Sequence, residues 1–223
     1  MTYRHLPWRL VACGLASLVT ASAAAAQSPG NSSDGDPAAL ADGVHMHMLL
    51  EKTIFKVDVL TVDVWLGEAD GRRIEKLTAA DRDSRQLADS VAEIAIHSQD
   101  AAVRLEFIRD NVSLEQFVDG IRDDLKKVPR AGVIDQADYE QIASSLPVWF
   151  EFLADRKIRT GDQILYRISG DTLRTRYVGY DGQLLLDQVD VGQPNRLSLM
   201  GSYFVPGSSF REKLIRSLTE HPS

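Results

Sequence analysis

The chain has 223 residues, 44% of them hydrophobic and 26% charged, with 25 basic against 32 acidic residues and a net charge of −7. That length and apolar content suffice for one domain with a buried core, and the acidic balance excludes nucleic acid and anionic lipid surfaces as expected partners. The only cysteine, Cys13, lies in the first 26 residues, so removal of that segment excludes disulfides, thiolate catalysis and cysteine-ligated zinc.

Residues 1–26 hold Arg4 and Arg9, no acid, an apolar run from Leu10 to Val19, and the small-residue tract Ala21-Ser22-Ala23-Ala24-Ala25-Ala26. This is the layout of a signal peptide cleaved after Ala26, and an apolar run of about ten residues is too short to span the roughly 30 Å hydrocarbon layer. No stable membrane span is therefore expected after cleavage, and the alanine-rich form is bacterial in type, which sends the chain to the periplasm or outside the cell. Cys13 stands at the beginning of the apolar run, where lipoprotein processing does not occur. Loss of Arg4 and Arg9 leaves 23 basic against 32 acidic residues, a net charge of −9. Residues 27–43 are rich in Ser, Gly, Asp, Pro and Ala and are expected to be a disordered linker. The Asn-x-Ser triplets at Asn31 and Asn111 would stay unmodified in a bacterium.

The domain is expected over residues 44–220. It opens with a strand in which His45 and His47 alternate with Met46 and Met48. Two histidines at i and i+2 share a strand face and could hold a metal, but no third ligand is evident, so an exposed face is expected and no metal site or cofactor. Ile54 to Leu66 is long and β-branched, with apolar residues on both parities, which reads as a central strand covered on both faces. One face carries Phe55, Val57, Val59, Thr61 and Trp65; the other carries Ile54, Leu60, Val62, Val64 and Leu66, interrupted by Lys56 and Asp58. Asp58 and Asp63 on a covered strand require a partner, which Lys56, Arg104 or Arg174 could supply. Gly67 to Ala80 reads as a polar connection.

A helix follows over Arg82–Ile96, capped by Asp81, with Leu87, Val91, Ile94 and Ala95 at helical spacing. Val103, Leu105 and Phe107 alternate with Arg104 and Glu106 as a half-buried strand. Ser113-Leu114-Glu115-Gln116 forms a capping box for a helix with the stripe Leu114, Phe117, Val118, Ile121 and Leu125. Asp135 opens another helix, with Tyr139, Ile142, Ala143, Leu146, Phe150 and Leu153 on one face, which Pro147 should kink or divide. Two hairpins come next: Ile164, Tyr166 and Ile168, a turn at Ser169-Gly170-Asp171, Leu173, Thr175 and Tyr177, then Asp181-Gly182 leading into Leu184-Leu185-Leu186. Gln193 to Phe204 reads as a helix or an irregular crossing. A second capping box, Ser209-Phe210-Arg211-Glu212, starts a closing helix.

This order gives an α+β class with an antiparallel sheet covered by helices. Several stretches resemble the chalcone isomerase-like family: Phe55-Lys56-Val57 with the Trp65-Leu66 step, Arg104 to Asn111 followed by Ser113 to Lys127, Arg159-Thr160-Gly161-Asp162-Gln163-Ile164, and Tyr203 to Leu218. The resemblance covers Val44 to Leu218 and implies an open-faced antiparallel β-sandwich with an apolar cleft between sheet and helices. The family's enzymes close a flavonoid ring with an early-strand arginine, a threonine on the long strand, a tyrosine and an asparagine on the first conserved helix, and a late Ser or Thr. Those places fall near Met46 or Met48, on Asp58 or Leu60, on Phe117, on Asp124 and on Ser198, so only the last is kept. The arginine and tyrosine that hold a carboxylate in the family's fatty-acid binders are missing too, and a buried carboxylate without a partner costs several kcal/mol.

The expectation is an exported, non-catalytic member of this fold that binds an uncharged apolar small molecule, with Phe55, Val57, Val59, Phe117 and Ile121 as candidate lining. The alternatives are a cell-envelope interaction or assembly protein whose cleft is filled by its own side chains, and an isomerase or lyase with a rebuilt site using Asp124, Asp58 and Ser198. No glycine-rich phosphate loop, nucleophile elbow or metalloprotease signature is present, and Ser208 and Ser209 read as cap residues. Nothing in the pattern sets an oligomeric state.

Overall fold

Successive side chains of a strand point to opposite faces, and six strands of this chain use that alternation to build one sheet with a dry side and a wet side. The computed structural model describes Leu40 and residues 43–52, 57–79 and 84–220; the side chains of residues 51–52, 57–59, 84 and 219–220 lie outside that description. The strands are β1 (Val44–Lys52), β2 (Val57–Leu66), β3 (Asp100–Phe107), β4 (Gln163–Ser169), β5 (Thr172–Val178) and β6 (Leu184–Val191), antiparallel throughout and ordered as in the chain. Helices α1 (Glu68–Ala79) and α2 (Ser84–His97) join β2 to β3. Helices α3 (Leu114–Leu125), α4 (Lys127–Arg130), α5 (Gln136–Trp149) and α6 (Leu153–Arg156) join β3 to β4, and α7 (Gln193–Phe204) and α8 (Arg211–Glu220) follow β6.

On the dry face Met46, Val64, Val103, Tyr166 and Thr175 stand side by side across β1 to β5, and Met48, Val62, Leu105, Ile164 and Tyr177 form the next row. Helix side chains including Val91, Phe117, Leu146, Met200 and Phe204 complete the buried core. Each such side chain contributes roughly 1.5–3 kcal/mol relative to exposure. The free edge of β1 is closed by α8: Ser217 Oγ accepts from the His47 amide at 3.0 Å, and Lys213 Nζ donates to the Leu49 carbonyl at 3.1 Å. The architecture is the expected α+β one, an open antiparallel sheet covered by helices.

Four local expectations change. First, β2 is second from an edge rather than central, and only its even positions Leu60, Val62, Val64 and Leu66 join the helix-covered core. Its odd side is the wet face, where Asp63 is nevertheless only 4% exposed because neighbouring side chains close over it. His45 Nε2 and His47 Nδ1 lie 2.9 and 2.8 Å from Oδ1, and Arg104 donates through Nη2 and Nε to Oδ2 at 2.8 and 3.2 Å. Arg104 is thus the partner that Asp63 required, and the histidines, read from sequence as an exposed face, complete its coordination. Second, the polar stretch Gly67–Ala80 contains α1, anchored by buried Gly71 and Ile74 and carrying Glu68–Arg72 and Asp70–Arg73 pairs on its wet side. Third, Ser209 does not close a capping box; its hydroxyl donates to Asp124 instead, at 3.3 and 3.4 Å. Fourth, the stretch expected as one helix reaching Leu153 is divided, α5 ending at Trp149 and α6 starting at Leu153, but the break falls after Pro147, which sits inside α5. The carbonyl of Ala143, which a proline at 147 cannot serve, accepts from Arg122 Nη2 and Nε of α3 at 3.0 and 3.2 Å. The 193–204 segment resolves to a helix, and the proposed cap Asp81 lies outside the described residues.

The Arg159-Thr160-Gly161-Asp162 stretch builds the junction of β4 and β5. Asp162 is fully buried and accepts from Arg156 Nη2 at 2.7 and 2.9 Å, the amides of Arg159 and Tyr180 at 2.9 and 2.8 Å, and the Tyr177 hydroxyl at 2.7 Å. Burial alone would raise its carboxyl; these donors outweigh burial and hold it below the usual range. From Tyr177 an aromatic chain runs through Phe152, Phe150 and Phe117 to Phe107, at centroid spacings of 5.0, 6.3, 4.9 and 5.9 Å. It closes on itself, because the Phe107 amide donates to the Asp162 carbonyl at 2.9 Å.

Asp162→Ala strands Arg156 and Tyr177 and is expected to cost about 3–5 kcal/mol, read by urea unfolding. For Asp63, burial pushes the carboxyl up, but the contacts from His45, Arg104 and His47 win and hold it well below normal. A lowered folded value gives stability that is complete above the unfolded value near 3.9 and is lost as pH falls through the folded one. Unfolding curves taken between pH 7 and pH 3 should therefore show wild-type stability dropping below about pH 4, with a shallower drop in Asp63→Asn; parallel drops would rule out this role.

Candidate functional site

The cap of α3 sets which side chains face the sheet. Ser113 Oγ accepts from the Gln116 amide at 3.2 Å while Gln116 Oε1 accepts from the Ser113 amide at 3.0 Å. Starting there, the helix buries Phe117, Val118 and Leu125. On its flank, α7 begins with Pro194 in its first turn and carries Ser198, Leu199, Ser202 and Tyr203. Gly201 lets α7 approach α4: a Cβ there would stand 2.7 Å from Val128 Cγ1.

Between α3, α7 and the dry face lies a cavity of about 210 Å³. Leu60, Leu105, Phe107 and Tyr166 form its sheet side, Phe117, Gly120, Ile121 and Asp124 its α3 side, and Leu199, Ser202 and Tyr203 its α7 side, with Phe210 and others completing it. A smaller chamber of about 80 Å³ extends toward α5, past Leu146, Trp149, Phe150, Thr175 and Ser198. Ile121, Tyr166, Leu199 and Ser202 line both spaces.

The polar groups of the cavity are few. Asp124 receives Lys127 Nζ on Oδ1 at 2.6 Å, in addition to the longer Ser209 contacts. Neither the Tyr166 nor the Tyr203 hydroxyl makes a hydrogen bond among the described residues. Burial pushes both phenols above their ordinary range, and the nearby Tyr166 and Asp124 push Tyr203 further. Ser198 is buried, and its hydroxyl has no hydrogen-bond partner among the described residues. No Arg, Lys, His or Cys stands among the described residues lining either space.

Of the residues expected from sequence, Phe117 and Ile121 line the cavity. Phe55 lies outside the described residues, and Val57, Asp58 and Val59 lie in β2 with side chains outside the description. Asp124 lines the main cavity and Ser198 the smaller chamber, so they share neither a hydrogen bond nor a chamber. Trp149 and Phe150 line the smaller chamber, and Phe150 is also fully packed. Met46 and Met48, at the place of the family's arginine, are buried in the core. Arg104 binds Asp63 on the wet face, Arg174 pairs with Asp187, and Arg72 pairs with Glu68 on α1. Sequence reasoning missed Tyr166, Tyr203, Leu199 and Ser202 as site residues. The alternation of β4 places Tyr166 on the dry face, but no pattern says which tyrosine hydroxyl is left without a partner.

A wider groove of about 830 Å³ runs between α2 and α8, past Arg85, Asp89, Arg211, Glu212 and Arg216. Its charges are mixed, Arg211 being paired with Asp89, and it lacks the apolar enclosure that strips water from a ligand.

No protein-family model matches the chain, and no curated protein matches it. Among solved structures, a fatty-acid binding protein of Arabidopsis thaliana superposes with a TM-score of 0.52 at 13% identity, over 77% of this chain and 83% of that one. At that identity the likeness shows the fold, which is the chalcone isomerase-like α+β fold.

Tyr203→Phe removes a hydroxyl that bonds nothing in the protein and is expected to change stability by less than about 1 kcal/mol. Tyr177→Phe removes a donor to a buried carboxylate and is expected to cost about 1.5–3 kcal/mol. Paired thermal and urea unfolding of the two variants measures the contrast.

Proposed function

We propose that this is an exported protein of the chalcone isomerase-like fold that carries out no isomerisation and binds an uncharged apolar small molecule between the sheet and helices α3 and α7. The observation that carries this reading is the apolar cavity of about 210 Å³ whose described lining holds no cation. An isomerase needs a group that binds and activates a phenolate, and an acid or base within reach of the reacting atoms. Phe117 replaces the family's tyrosine, and Asp124, in the asparagine's place, is held by Lys127. The solved neighbour is a fatty-acid binding protein, which agrees with an apolar ligand in this fold.

Small-molecule sites are typically about 300–1,000 Å³. The main cavity is below that range, so its ligand is short or enters by moving the shared side chains Ile121 and Leu199 to join the smaller chamber. The same modest size favours the second reading, an interaction protein of the cell envelope whose cleft is closed by its own core.

A neutral fluorescent probe, N-phenylnaphthylamine, separates the two. The binding reading expects saturable fluorescence enhancement and displacement by apolar molecules recovered from lipid extracts in native mass spectra. Ile121→Trp should abolish probe binding at a cost of about 1–3 kcal/mol of overpacking, leaving a folded protein. No enhancement with wild type, together with ligand-free mass spectra, would favour the filled-cleft reading. Export is checked separately: N-terminal sequencing of the chain recovered from the periplasm of a bacterial host should begin at Gln27, as signal cleavage after Ala26 requires.

A further inference from the structure

Five polar side chains line the larger cavity; Gln116 and Ser202 bond to neighbouring backbone, which leaves Asp124 and two tyrosines to meet a ligand. The Tyr166 and Tyr203 hydroxyls make no hydrogen bond among the described residues, although both line the space and Tyr203 is buried. A phenol hydroxyl that takes no acceptor from the protein is free to donate to an acceptor on a bound molecule. Asp124 is the third group, and its two oxygens are unequal. Oδ1 takes Lys127 at 2.6 Å, whereas among the described residues the hydrogen bond to Oδ2 is the long 3.4 Å one from Ser209. A carboxylate oxygen with spare lone pairs accepts hydrogen bonds and repels anions.

One ligand group meets both demands. A hydroxyl accepts from a phenol and donates to a carboxylate; a carbonyl or ether oxygen can only accept. A carboxylate would accept from the phenols but would stand beside Asp124, whose own charge already takes up Lys127, with no further Arg or Lys among the described lining residues to offset the second negative charge. We infer that the cavity takes an apolar molecule bearing a neutral hydroxyl, an alcohol, and that Asp124 together with Tyr166 and Tyr203 selects it over the carboxylate of the same carbon skeleton. This inference rests on the binding reading above.

The test is displacement of the neutral probe from the purified exported chain at neutral pH by octanol, octane and octanoate. Octanol is expected to bind most tightly and octanoate to be weaker by roughly tenfold or more, the factor that about 1.4 kcal/mol of repulsion gives. Asp124→Asn should raise octanoate affinity toward that of octanol. Tyr203→Phe should weaken octanol several-fold while leaving octane unchanged, which a general loosening of the cavity would not do. Octanoate binding as tightly as octanol, or an octanol-to-octanoate ratio unmoved by Asp124→Asn in a protein that keeps its wild-type melting temperature, would overturn the inference while the binding reading stands. Absence of any probe binding by wild type would overturn the binding reading, and this inference with it.

Discussion

A single buried carboxylate holds the cavity wall in place. Asp162 collects the guanidinium of Arg156, two amides and the Tyr177 hydroxyl, while its own carbonyl receives the amide of Phe107, a cavity residue. A charge this deep is tolerable only when its lone pairs are filled, so the network specifies one geometry for the start of β4, the end of β5 and the short helix α6. Through Tyr177 the same carboxylate positions the ring chain that ends at Phe117 and Phe107. The stretch that carried the family resemblance is thus a structural hub, and its aspartate is far from being a reactive group: every contact it makes is spent on fixing the backbone and its neighbours.

The sheet's alternation also decides where charge can go. Arg104 and Arg174 lie on strands that contribute Val103, Leu105, Leu173 and Thr175 to the dry side, so pleating alone carries the guanidinium groups to the opposite face. There they meet Asp63 and Asp187. The apolar character of the cavity's sheet side therefore follows from register, and moving Arg104 or Arg174 into it would require a one-residue slip that exposes the whole core row.

Much of this fold was legible because its elements announce themselves locally. The Ser113–Gln116 cap, the alternation of Val103 to Phe107, and the turns at Gly170 and Gly182, both with positive φ, each rest on chemistry contained in a few neighbouring residues. The failures came where a distant partner decides. Pro147 reads as a helix breaker until Arg122 arrives from another helix to serve the orphaned Ala143 carbonyl. Ser209 reads as a cap until Asp124 competes for its hydroxyl. The polar run after Gly67 shows its helical character through Gly71, Ile74 and Leu77, a short stripe easily read as a connection among so many charged residues. The site was half legible for the same reason: Phe117 and Ile121 stand on a periodic stripe, whereas the tyrosine hydroxyls are notable for contacts they do not make.

Gly201 has a consequence for how the pocket can diverge. Because α7 rests on Val128 through a missing side chain, the thickness of one methyl group acts as a shim between α7 and α4. Leu199, Ser202 and Tyr203 ride on the same rigid helix, so a change at this remote point would shift a whole wall without touching a lining residue. Pocket width in this fold can be tuned by spacing alone, leaving the chemistry of the lining free to vary independently.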